Sequence, residues 1–139
     1  MAGLRAFFEA HERYSNAGDF EALVSLYAES FASADADGTR VVQATDLRAA
    51  LPKRKQMLAG IGCKAARLAA LDETRLDQHY VLAKTTWRWE FERPGWPEII
   101  LASTFIVRTS GAAPAIVFYL NHENILTVLR DRGLLPPAV

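Results

Sequence analysis

Residues 11–38, HERYSNAGDFEALVSLYAESFASADADG, decide the fold. Leu4, Phe7, Phe8, His11, Tyr14 and Ser15 fall on one helical stripe, with Glu9, Glu12 and Arg13 off it. Asn16-Ala17-Gly18-Asp19 breaks that helix, and Gly18 suits a left-handed cap. Asp19 then caps a second amphipathic helix, whose stripe is Phe20, Leu23, Val24, Tyr27 and Phe31. Asp35-Ala36-Asp37-Gly38 is a turn signal, and it leads into a short strand over 39–43.

Thr45 or Asp46 is expected to cap a third helix, with Leu47, Ala50, Leu51, Arg54, Leu58 and Ile61 on its buried side. Pro52 should kink that helix or split it, and Gly60 and Gly62 end it. The remainder reads as strands. A weak one covers 65–74. A long one covers 79–93, where Trp87, Trp89 and Phe91 alternate with Arg88, Glu90 and Glu92. Pro94-Gly95-Trp96-Pro97 is a hairpin turn, and strands over 98–109 and 115–122 follow. Residues 123–132 are either a terminal helix or a loose end. Helices followed by a meander of long strands argue an α+β fold, with the N-terminal helices packed on the concave face of a curved antiparallel sheet. Such a sheet encloses a cone-shaped cavity, a natural site for a small molecule.

The 139 residues make one domain over 1–139, long enough for a single core. Half the residues are apolar, and sixteen basic residues balance sixteen acidic ones. That balance lacks the electrostatic footprint of a nucleic-acid or membrane-surface partner. A single cysteine, Cys63, excludes an intramolecular disulfide and fits a cytoplasmic location. No apolar leader or bilayer-length run is present. Residues 60–64, GIGCK, have the wrong spacing for a phosphate loop, and no zinc, dinucleotide or nucleophile-elbow pattern occurs. Cys63 reads as a structural thiol. Lys53-Arg54-Lys55 reads as a basic run facing solvent at the Pro52 kink.

The Asn16-Ala17-Gly18-Asp19-Phe20 break followed by Leu26-Tyr27-Ala28-Glu29 resembles the nuclear transport factor 2-like superfamily of cone-shaped folds. That group includes ketosteroid isomerase, scytalone dehydratase, limonene epoxide hydrolase and SnoaL-type polyketide cyclases, and the resemblance covers about residues 5–130. It implies a homodimer joined through the outer face of the sheet. Laid on the isomerase pattern, Asp35 falls where the general base stands. His11 falls where an oxyanion-binding tyrosine stands, and Ser103 where a second, acidic donor stands. The base is kept and both oxyanion donors depart, so steroid isomerisation is not the expected reaction.

The resemblance and strand parity together place His11, His79 and His122 in the cone interior. A histidine serves as acid or base near neutrality, and Asp35 paired with His11 or His122 would polarise a water or abstract a proton beside a carbonyl. The alternative is that these are hydrogen-bonded core or rim histidines, and that Asp35 serves only its turn. Trp87, Trp89 and Phe91 form an aromatic ladder that is expected to wall a ligand pocket or a dimer interface, with Phe105 and Phe118 as further ligand contacts and Tyr14, His79 and Ser103 as polar ones; the alternative for the ladder is plain core. Two functions follow. One is a pocket protein performing cofactor-free isomerisation, dehydration or cyclisation on a small apolar molecule. The other is a non-catalytic ligand-binding or dimerisation module of the same fold. Ile100, Ala102, Thr104 and Ile106 give the outer sheet face an apolar stripe for the dimer, unless that stripe packs under the third helix.

Overall fold

A computed structural model describes residues 3–136. The elements run α1 (Arg5–Ala17), α2 (Phe20–Val24), β1 (Tyr27–Asp35), β2 (Gly38–Gln43), α3 (Ala44–Gly60), β3 (Cys63–Arg75), β4 (Tyr80–Phe91), β5 (Ile99–Arg108), β6 (Ala115–Asn121) and α4 (Ile125–Asp131). The terminal segment is thus a helix.

The break after α1 forms as its sequence dictates. Gly18 is left-handed at φ 74°. Its N–H donates to the Ser15 carbonyl at 3.3 Å and the Asp19 N–H donates to the Tyr14 carbonyl at 3.0 Å, the paired bonds of a Schellman ending. Asp19 Oδ1 accepts from the Ala22 N–H at 3.3 Å and opens α2. The break is also stapled to the sheet. Asn16 Nδ2 donates to the Ala66 carbonyl at 2.9 Å, and Asn16 Oδ1 accepts from the Ala66 N–H at 3.1 Å.

The second helix is shorter than its stripe suggests: it stops at Val24, and Tyr27 and Phe31 lie on β1. A spacing of four places two residues on one face of a helix and also on one face of a strand, so that pair cannot distinguish the two. Pairing decides it. β1 bonds β2 on one edge and β6 on the other. The sheet order is β2-β1-β6-β5-β4-β3, antiparallel throughout except for the parallel β1–β6 pair. The expected antiparallel sheet is therefore mixed, because the N-terminal hairpin docks beside the last strand.

α3 runs through Pro52 without splitting, and its N-terminus carries no side-chain cap at Thr45 or Asp46. A proline within a helix removes one backbone bond. No residue of α3 is buried.

Two cores form on the concave side. Leu4 and Phe8 of α1 pack on Val81, Ala83, Phe105, Val107 and Ile116. At the other end Ile125, Val128 and Leu129 of α4 pack on Ile99 and Leu101, with Leu58, Trp89 and Phe91 against them. The outer face carries the even residues of β5. Ile100 is 51 % exposed there, and α3 lies on the other side of the sheet, so the stripe does not pack beneath it.

Candidate functional site

Between the two cores lies a cavity of ≈ 340 Å³. Its walls come from the odd positions of β4 and β5 (Trp87, Trp89, Leu101, Ser103, Phe105), from Tyr27, Phe31 and Ser33 of β1, and from Tyr119 and Asn121 of β6. α1 contributes His11, Ser15 and Asn16, and α3 contributes Leu47, Leu51, Arg54, Lys55 and Leu58. Of the side of the third helix expected to be buried, Leu47, Leu51, Arg54 and Leu58 look into the cavity, whereas Ala50 is exposed and neither it nor Ile61 lines the cavity. Lys53, Arg54 and Lys55 are exposed, as expected of the basic run, and Arg54 and Lys55 also line the cavity at its mouth, together with the exposed Lys64 and Glu123.

His11 and Tyr27 form the centre of the deep end. His11 Nε2 and the Tyr27 hydroxyl are 2.8 Å apart. The imidazole lies 5.8 Å from the Trp87 and Phe105 rings and 6.3 Å from Phe8. Nδ1 is shielded and has no hydrogen-bond partner. Burial lowers the His11 pKa to about 4, against a weak opposing pull from its own backbone carbonyl, so the ring is neutral at pH 7. Burial likewise pushes the Tyr27 phenol far up, reinforced by Tyr119 and opposed by Arg54. The Tyr119 phenol is raised by burial, with Ser103 and Arg54 pulling the other way. Tyr119 stacks on Phe105 with ring centres 5.0 Å apart. Below them the Trp87 indole N–H donates to Thr85 Oγ1 at 2.8 Å, and that hydroxyl donates to the Ser103 carbonyl at 2.9 Å. Cys63 lines the cavity as a thiol whose pKa burial raises, against Lys55, Arg54 and the Ala65 backbone.

The cavity thus gathers His11, Trp87, Trp89, Ser103 and Phe105 of the expected residues. It does not gather the others. Asp35 shares the parity of Phe31 and Ser33 but is the last residue of β1, beside the hairpin turn. Its Oδ1 accepts from the Asp37 N–H at 2.9 Å and its Oδ2 pairs with Arg40 at 3.1 Å. His122 follows Asn121, so its parity is reversed. Its Nε2 meets Thr104 Oγ1 at 2.7 Å, and Thr104 belongs to the outer face. Phe118 pairs with Ile106 and Ala32 on that same face. His79 has the interior parity but lies exposed in the turn before β4, where its N–H donates to Asp77 Oδ1 at 2.7 Å. That bond and another from Tyr80 hold the Asp77 pKa low. Tyr14 is outside the lining, with the Arg13 guanidinium 5.1 Å over its ring.

Tyr27, Tyr119, Asn121, Arg54 and Glu123 are among the cavity residues not expected from the sequence. Tyr119 and Asn121 were reachable through strand parity. Tyr27 was hidden by the apparent length of the second helix.

No protein-family model matches the chain, and no curated protein matches it in sequence. Solved structures do match in shape. An NTF2-like protein with a cystatin-like fold from Novosphingobium aromaticivorans superposes with TM-score 0.71 at 20% identity, over 96% of this chain and 87% of that one. The β subunit of benzoate 1,2-dioxygenase from Burkholderia mallei gives 0.66 at 15% identity, over 90% and 91%. A ketosteroid isomerase-like protein from Erwinia carotovora gives 0.61 at 11% identity, over 86% and 92%. These likenesses establish the fold expected from residues 16–20 and 26–29.

Proposed function

From an NTF2-like, cystatin-like fold enclosing this cavity, we propose that the protein binds a small, largely apolar, carbonyl-bearing molecule, with Tyr27 as the hydrogen-bond donor to the carbonyl. The observation that carries this is the 2.8 Å contact between Tyr27 and His11, whose Nδ1 has no partner. A buried acceptor without a donor costs less than a buried N–H without an acceptor. The neutral imidazole therefore keeps its proton on Nε2 and gives it to the Tyr27 oxygen. That leaves the Tyr27 O–H free to point at a ligand. His11 stands where a tyrosine was expected, and it positions a tyrosine from the neighbouring strand. Tyr119 and Ser103 supply further neutral hydroxyls. Neutral donors fixed inside an apolar site stabilise developing negative charge on oxygen without having to reorient.

Polarising a carbonyl acidifies the adjacent C–H, the opening step of cofactor-free isomerisation, dehydration or cyclisation. Glu123 is the one carboxylate lining the cavity among the described residues, and it stands exposed at the mouth rather than beside Tyr27. A non-catalytic carrier is the second reading. It is favoured by the solvent-side pairing of Asp35 with Arg40, which removes the expected base from the ligand.

The first test uses 2-naphthol, whose oxygen mimics an enol. It should bind with a change in its fluorescence, and Tyr27→Phe should weaken it about tenfold, the worth of one hydrogen bond in a dry site. Equal affinity in a folded Tyr27→Phe variant overturns the assignment. The second test follows α-proton exchange of cyclic ketones in deuterated water by NMR. Exchange above the buffer rate that Tyr27→Phe abolishes supports chemistry, and binding without exchange supports the carrier.

A further inference from the structure

We propose that the ligand of this cavity carries a carboxylate at the end remote from its carbonyl, and that Arg54 at the mouth receives it. The inference rests on the reading above that the cavity holds a small molecule, and it adds the chemical class of that molecule. Several arginines outside the cavity are engaged. Arg40 pairs with Asp35, Arg48 with Glu21, Arg67 with Glu90 and Arg88 with Glu98, while Arg93 lies over Trp96. Arg54 lines the cavity and has neither a hydrogen bond nor an ion pair among the described residues. It projects from the face of α3 that also presents Leu47, Leu51 and Leu58, so its surroundings on the cavity side are apolar.

The charge of Arg54 is felt inside. It opposes the burial-driven rise of the Tyr27, Tyr119 and Cys63 pKa values, three groups on three different strands. Lys55 and Lys64 line the same cavity, whose one negative group among the described residues is Glu123. Lys55 is partly committed, since its Nζ donates to the Asn16 carbonyl at 3.1 Å. A cleft with low-dielectric walls and a surplus of one charge concentrates the opposite charge. A guanidinium presents two parallel N–H groups to the two oxygens of a carboxylate, which a lysine does not. Glu123 on the same rim penalises a dianion more than a monoanion, so a carboxylate fits better than a phosphate. The ligand is then an apolar body with a neutral oxygen gripped deep by Tyr27 and an acid held at the surface.

The experiment compares 2-naphthol with 6-hydroxy-2-naphthoate, which adds a carboxylate at the far end of the same ring system. At low salt the naphthoate should bind about tenfold more tightly, and added salt should erode the advantage. Arg54→Gln should bring the ratio of the two affinities close to one, and Arg54→Lys should restore only part of it. Equal affinities in the unmodified protein overturn the inference while leaving the pocket reading intact. A ratio that survives Arg54→Gln and disappears in Lys64→Gln overturns the assignment to Arg54. Failure of both compounds to bind overturns the pocket reading, and this inference with it.

Discussion

Acidification should destabilise this protein through His11 before its carboxylates respond. The His11 pKa is about 4 in the folded protein and 6.5 in the unfolded chain. Between those values the unfolded state binds the extra proton, so stability rises with pH and falls as the pH is lowered through the window. The full difference of roughly 2.5 pKa units is worth about 3 kcal/mol at 1.36 kcal/mol per unit. Integrated over the titration, about 2 kcal/mol of it is already gone at pH 5. That is a large part of the roughly 5–15 kcal/mol that holds a typical domain together. The assay is urea unfolding at pH 7, 6, 5 and 4.5 for the unmodified protein and His11→Gln. The variant loses stability at every pH but lacks the titrating group, so the difference between the two curves isolates the imidazole from the Asp and Glu residues. The gap between them should narrow by about 2 kcal/mol from pH 7 to pH 5. Parallel curves, or an NMR titration placing the imidazole near 6.5, would refute the burial of a neutral His11.

Phe105→Ala should cost about 3–5 kcal/mol in urea or thermal unfolding, because a 2 % exposed ring touching Phe8, His11 and Tyr119 is lost. Asn16→Ala should cost about 1–3 kcal/mol by the same measurement, since it strands both backbone groups of Ala66. Asp35→Asn should change stability by less than about 1 kcal/mol, because its partner Arg40 is surface-exposed, and should leave 2-naphthol affinity unaltered. A marked loss of binding there would return Asp35 to the site. A homodimer through the outer sheet face is proposed as well, and Ile100→Lys should convert it to monomer in size exclusion with light scattering. A monomeric unmodified protein at micromolar concentration refutes the dimer.

The fold was legible because its signals are local and redundant. Gly18 supplies a left-handed cap, Asp19 an N-cap and Pro94-Gly95 a turn, and the β4 aromatics recur at a period that only a strand explains. What was not legible depended on long-range pairing. Whether Tyr27 continues a helix or starts a strand is settled by β6, some ninety residues later in the chain. The parallel β1–β6 pair has no local signature either. Pro52 gave a local signal for a kink or a split, and the helix is not split there.

The site was legible at the positions where strand parity alone assigns a face, and it was lost where parity is offset by one residue or where a strand ends. Trp87, Trp89, Ser103 and Phe105 sit mid-strand, and their alternation carries through. His122 differs from Asn121 by one residue and so lands on the opposite side of the sheet. Asp35 keeps the right parity, but the strand runs out before the cavity reaches it. This has a chemical consequence. Matching positions one by one keeps Asp35 without the two donors, whereas the assembled cavity is lined by the hydroxyls of Tyr27, Tyr119 and Ser103 and leaves Asp35 outside, paired with Arg40. His11 does not replace a tyrosine by doing a tyrosine's work. It is buried, neutral and bonded to Tyr27, so in the proposed function the phenol would come from β1 and the helix position would support it. A function carried by a position in space can be rebuilt from a different element, and the residue at the original position then matters for what it holds.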